Sequence, residues 1–225
     1  PQVPVLQIGD EWRTDSTPLA IWLDELFPEK PLFGSTEQER ESILALDSWV
    51  TDSLILAGFR SAYEGEMSAK FRHIAWRLAS IVSSQTPLPD EIRNAWPDLL
   101  KTAPFIKHMM CDVDASESLS EMQARIPLQL IENLQGGPFF GGLTEPSLVD
   151  FAIFPQVVFN YMVGLDQHLG LTLEPSLNNW LNNMKPLLPR NPLLVPDFMI
   201  ISPLVQDSEA QAGRSAQSAL AWGGS

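Results

Sequence analysis

Asp15 and Ser16 set a carboxylate and a hydroxyl side by side, two residues ahead of Pro18 and the apolar run Leu19 to Leu23. Proline fits the first turn of a helix, and that run reads as helical. The pair therefore stands at a helix N-terminus, where backbone N–H groups are free. A hydroxyl and free amides favour a carboxylate ligand, whereas Asp15 can accept an ammonium. The same residues also make an ordinary N-cap, and both readings stand on these residues alone.

The elements that must position this pair can be read on either side of it. Val3 to Ile8 is β-branched and apolar, Gly9-Asp10 offers a turn, and Glu11 to Thr14 returns as a partner strand. A cis Val3-Pro4 peptide would leave the Val3 backbone free to pair with an extended peptide, although most X-Pro bonds are trans. A strand pair and one helix bury too little to make a domain. After Gly34 helical periodicity takes over. Ser35 or Thr36 is expected to cap a helix with Ile43, Leu46, Val50 and Leu54 on one face. A second helix is expected over 69–82, with Phe71, Ile74, Leu78 and Ile81 inward. Prolines between Ser84 and Pro104 predict loops with a short helix at Asp90 to Asn94. A further helix places Leu119, Met122, Ile126, Leu130 and Leu134 inward and meets a kink or break at Pro127. A glycine-rich connection leads to an almost wholly apolar helix from Ser147, expected to be buried on every side, and a last helix begins near Pro175. Residues 206–225 are small, polar and unpatterned, which predicts a disordered tail.

Composition narrows the function classes. The 225 residues give one large domain or a domain plus a smaller lobe, and 44% hydrophobic content supplies a sizeable core. A net charge of −14 argues against nucleic acid, which needs clustered Lys and Arg, and disfavours an anionic membrane surface. Cys111 is the single cysteine, so no intramolecular disulfide forms, which fits a reducing compartment. No run approaches the roughly 18 consecutive apolar residues of a membrane span; the best, from Pro192, is broken by Pro196, Asp197 and Pro203. His73, His108 and His168 are scattered, so no metal site is expected. The acids near Cys111 argue against a reactive thiol. The seven tryptophans, among them Trp49, Trp76 and Trp180, are expected to serve packing.

Taken together, Val3-Pro4, Asp15-Ser16, Trp22-Leu23 and the Pro28 to Leu32 exit resemble the end of the thioredoxin-like N-terminal domain of the glutathione transferases. In that family the strand opens with a cis Val-Pro, and a Glu-Ser or Asp-Ser pair starts the following helix. The stretch Gly136 to Val157 is similar to the family's C-terminal helix start, with Ser147 as N-cap and Asp150 at the third helical position. These two form a structural capping box worth about 1 kcal/mol or more, with no chemistry assigned. The resemblance implies a mostly α fold: a partial thioredoxin-like domain at 1–34, an all-helical domain at 35–205, then the tail. It implies glutathione bound by the Val3 backbone, Asp15 and Ser16, with Pro4 structural. It further implies a cytoplasmic homodimer that conjugates or reduces a small hydrophobic electrophile. Arg60, Tyr63 and Met67 fall where the family lines its electrophile pocket, and they read equally well as an ordinary helix end.

The chain departs from the family at its front. The family's first βαβ unit, about 30 residues or more, precedes this strand and carries the catalytic Tyr, Ser or Cys, so no catalytic residue is assigned here. The resemblance implies a fragment. The alternatives are a naturally short chain that buries its strand edge against a partner, and a non-catalytic binding or scaffold protein of the same fold. The intact mass of the protein from its native source should exceed the 25.0 kDa of these residues by several kilodaltons. A matching mass would leave no complete glutathione site within one subunit and favour the binding-protein reading.

Overall fold

The computed structural model describes residues 4–64, 69–85, 88–102, 104–164, 174–202 and 204. Val3, Met67, His168 and the tail at 206–225 lie outside them. The described chain is mostly helical, with two short strands. β1 (Val5–Ile8) and β2 (Glu11–Thr14) pair antiparallel, Val5 opposite Thr14 and Ile8 opposite Glu11. This register leaves Gly9 and Asp10 as a two-residue turn, and Gly9 takes the φ of +60° that such turns demand. Arg13 crosses from β2 to lie 4.9 Å over the Trp22 ring, so its face of the hairpin looks toward the first helix. On the opposite face Val5 and Trp12 stand in solvent, Trp12 at 58% exposure.

α1 (Ser16–Leu26) buries Leu19, Ala20 and Trp22. The Asp24 carboxylate then accepts the Leu32 N–H and folds the exit loop back. Phe33 is buried beneath the Arg40 guanidinium, and the Leu32 carbonyl accepts the Leu148 N–H at 3.0 Å. Ala20 and Phe33 thus join the same apolar cluster as Ile43, Val50, Ile153 and Trp180.

Thr36 caps α2 (Glu37–Trp49): its hydroxyl accepts the Glu39 N–H, and the Glu39 carboxylate accepts the N–H groups of Thr36 and Ser35. The helix passes through a π-helical stretch, Val50–Ile55, into α3 (Leu56–Glu64). Ile43 and Val50 are buried as expected, while Leu46 and Leu54 are only half-buried. The widened turn shifts the phase of a 3.6-residue repeat, so a face projected through it drifts. By length and composition, Glu37–Ser61 is also the one helix among the described residues able to cross a membrane, a candidate hidden from a search for uninterrupted apolar runs. Its Ile43 and Val50 are core residues.

α4 (Ala69–Gln85) forms where expected and buries Ala75, Ala79 and Ile81; the side chains of Phe71, Ile74 and Leu78 are outside the described set. The proline-rich region departs from expectation. The helix expected at Asp90 to Asn94 is there but runs on as α5 (Asp90–Thr102), and α6 (Pro104–Met109) forms in place of loop. Acidic Asp90 and Glu91 in the first turn and packing along α4 outweigh the penalty of Pro97. α7 (Leu119–Glu132) likewise runs through Pro127 as one helix and buries Met122, Ile126 and Leu130. α8 (Leu148–Met162) is largely core, although Phe151 reaches solvent, and α9 (Pro175–Met184) packs Trp180 and Leu181 inward. Trp180 is a packing residue as expected. Trp76, at 51% exposure, and Trp12 are not, because each occupies the solvent side of its element.

Asp150 is fully buried and accepts four hydrogen bonds. They come from the Phe140 N–H (3.1 Å), the Ser147 N–H (2.8 Å), the Ser147 hydroxyl (3.2 Å) and the Trp180 indole N–H (2.9 Å). Ser147 and Asp150 make the expected capping box at the start of α8. The bonds to Phe140 and Trp180 go beyond it, joining the glycine-rich turn and α9. Asp150→Ala leaves three buried N–H donors without an acceptor and should cost about 3 kcal/mol or more. Burial, opposed by these bonds, raises the Asp150 pKa above its ordinary 3.8. The fold therefore holds this proton more tightly than the unfolded chain does, and the stabilisation from protonation disappears as pH rises through the raised native value. Urea midpoints should show wild type gaining stability relative to Asp150→Asn as pH falls from neutral toward 3.8. A loss of wild-type stability relative to the variant over that range would reverse the assigned shift.

Candidate functional site

Asp15 lies between the hairpin and α1, and its backbone serves both. Its N–H donates to the Pro4 carbonyl at 3.0 Å, closing the base of the hairpin, and its carbonyl accepts the Leu19 N–H at 3.1 Å as the first turn of the helix. To do both, Asp15 adopts φ 74° and ψ 141°. A residue with a Cβ enters that region at a cost of about 1–3 kcal/mol, and such residues gather at ligand sites. Asp15 occupies the N-cap position but makes no side-chain capping bond. The ordinary-cap reading of Asp15 is therefore not realised, and the carboxylate stays available. Ser16 opens the helix with its side chain exposed. The first turn of α1 holds no acidic residue, so its N-terminal positive pole is uncompensated from within the helix. Next along, the Thr17 hydroxyl donates to the Asp47 carboxylate of α2 at 2.6 Å, a contact that no local pattern announces.

Pro4 is exposed at the hairpin base, and Asp15 and Ser16 are consecutive at the helix start. The geometry of the remaining candidates differs. Arg60 is buried on α3, donating to the Glu64 carboxylate at 3.0 Å and the Glu117 carbonyl at 2.7 Å. Arg125 grips the Glu117 carboxylate through two bonds of 2.6 and 2.8 Å, which hold that carboxyl below its usual pKa, and reaches Gln129. The Trp49 indole N–H shares Gln129 as acceptor. Arg60 thus belongs to a polar network binding α3 to α7, in keeping with an ordinary helix end, and Tyr63 is half-buried nearby in sequence. His73 and His108 are exposed, and the Cys111 thiol lies 3.5 Å from the Lys107 carbonyl. Among the described residues no three of His, Cys, Asp and Glu gather as a metal-binding group.

At the opposite end of α1 an open groove of about 420 Å³ lies between the helix and its exit loop. Leu23, Phe27 and Leu32 form its apolar wall, and Asp24, Glu29 and Lys30 its polar part. It contains neither Asp15 nor Ser16. No periodicity announces this groove, because Phe27 and Leu32 flank the prolines of the exit loop and the Asp24 bond that bends the loop spans eight residues and follows no regular repeat. No protein-family model, curated protein or solved structure matches the chain.

If the Asp15 backbone is strained and its side chain caps nothing, glycine should be the better residue there for stability. Asp15→Gly should raise stability by about 1 kcal/mol, read as a higher urea midpoint at unchanged slope. A lower midpoint would show that the Asp15 side chain stabilises the fold.

Proposed function

We propose that the chain is glutathione transferase-like, with a thioredoxin-like α/β lobe followed by an all-helical domain. The observation that carries this reading is the strained, non-capping Asp15 beside Ser16 at the N-terminus of α1, whose first turn holds no acidic residue. The γ-glutamyl end of glutathione bears an ammonium and a carboxylate on one carbon. Asp15 accepts the ammonium, and the Ser16 hydroxyl with the helix amides takes the carboxylate. The Val3 backbone pairs with the cysteinyl part of the tripeptide, and Pro4 shapes that turn. The glutathione thiolate attacks a small hydrophobic electrophile, and the new C–S bond replaces the bond to a leaving group or, with a proton from water, an activated double bond. In the reducing alternative two glutathione molecules give up two electrons to the substrate and become the disulfide. No group that would activate the thiol is assigned in this chain. A cytoplasmic homodimer completes the reading.

A second reading, a non-catalytic binding or scaffold protein of the same fold, draws on a different observation. Val5, Trp12, Leu26 and Phe27 are all exposed on the first lobe, the kind of surface a partner covers. A Ser, Cys or Tyr in the first loop of an upstream unit favours the enzyme, and its absence favours the binder.

Calorimetric titration of glutathione into the protein as its source makes it tests the site. Ser16→Ala and Asp15→Ala should each weaken binding by about tenfold or more, the worth of one charge-assisted hydrogen bond. Full affinity in both variants would remove the site assignment.

A further inference from the structure

We infer that the Thr17–Asp47 hydrogen bond is a latch between the two lobes that keeps Asp15 in its strained conformation, which makes Thr17 and Asp47 positioning residues. Asp15 needs such support. Its two backbone bonds, to Pro4 and from Leu19, are short-range and belong to the hairpin and the helix. Strained conformers persist only where surrounding structure over-determines them. The polar tie that reaches the turn from elsewhere is the 2.6 Å bond from the Thr17 hydroxyl to Asp47, thirty residues away in sequence.

Asp47 suits this task. It is 9% exposed on α2, between Ile43 and Val50, both buried in the core, so its carboxylate stands on a rigid base. Burying a carboxylate is costly unless it is hydrogen-bonded. Among the described residues Thr17 is the side-chain partner Asp47 has. Thr17 is β-branched and stiff about χ1, so a pull on its hydroxyl is transmitted to the backbone two residues from Asp15. The helical domain thereby sets the shape of a site that lies on the other lobe. Its consequence for glutathione rests on the function proposed above, whereas the structural part does not.

The test uses the full chain with Thr17→Val, Thr17→Ser, Asp47→Ala, Asp47→Asn and the Thr17→Val/Asp47→Ala double variant. Two readouts are taken. One is hydrogen exchange at the Leu19 amide, referenced to core amides of α8 so that global destabilisation cancels, together with the Asp15 amide-to-Hα Overhauser effect, which is strong at positive φ. The other is glutathione affinity by calorimetry. Thr17→Val and Asp47→Ala should each speed Leu19 exchange, weaken the Overhauser effect and lower glutathione affinity about tenfold, with the double variant no worse than either. Thr17→Ser and Asp47→Asn keep a donor and an acceptor and should behave like wild type. Unchanged exchange and Overhauser effect in Thr17→Val, or additive effects in the double variant, would overturn the latch. If wild type takes up no glutathione while the exchange pattern holds, the latch stands and the glutathione reading alone falls.

Discussion

A buried carboxylate with four hydrogen-bond donors pointed at it is expensive to make and hard to replace, and three segments of the core meet at one. Asp150 takes donors from the turn at Phe140, from its own helix start at Ser147 and from Trp180 on α9. Each donor would otherwise be a buried polar group without a partner. Asp150 therefore fixes the relative placement of three segments that share little other polar contact. The Phe140 and Trp180 rings meet edge to face at 5.3 Å, so the apolar packing is organised around the same point. The core reaches outward from there to Ile153, Val50 and Phe33.

The N-terminal hairpin, α1 and its exit loop are held to that core by a different set of interactions. Ala20 and Phe33 enter the apolar cluster, Leu32 bonds to Leu148 at the start of α8, and Thr17 reaches Asp47. Through Leu148 the lobe is joined to the residue next to Ser147, one step from the Asp150 node. The strained Asp15 can therefore be traced through covalent and hydrogen-bonded neighbours to the buried Asp150. Backbone strain has to be balanced by packing elsewhere, and here the route between the two is visible.

Much of this was legible in the sequence. The hairpin follows from β-branched residues around Gly9, the helices from apolar spacing, and the start of α8 from Ser147 and Asp150. What was missed has a common cause. Prolines at 97 and 127 argue locally for breaks, yet contact with neighbouring helices kept α5 and α7 whole. The Trp180 bond to Asp150 and the Thr17 bond to Asp47 join residues thirty apart, which a periodicity cannot reveal. The Asp15 pair was recognisable by residue type, whereas its backbone strain and uncommitted carboxylate depend on how hairpin and helix meet.

The π-helical stretch at Val50–Ile55 has a consequence for how the long helix can change. A π turn holds one residue more than an α turn over nearly the same rise. The part before it, anchored through Ile43, and the part after it, anchored through Arg60, are thus phased independently. Removal of one residue inside Val50–Ile55 would let the helix wind as ordinary α while both anchored faces kept their directions. The same deletion a turn earlier or later would rotate one anchor away from its partners. The stretch stores a spare residue within the helix, so a change of chain length there disturbs the two anchored ends less than one elsewhere along it.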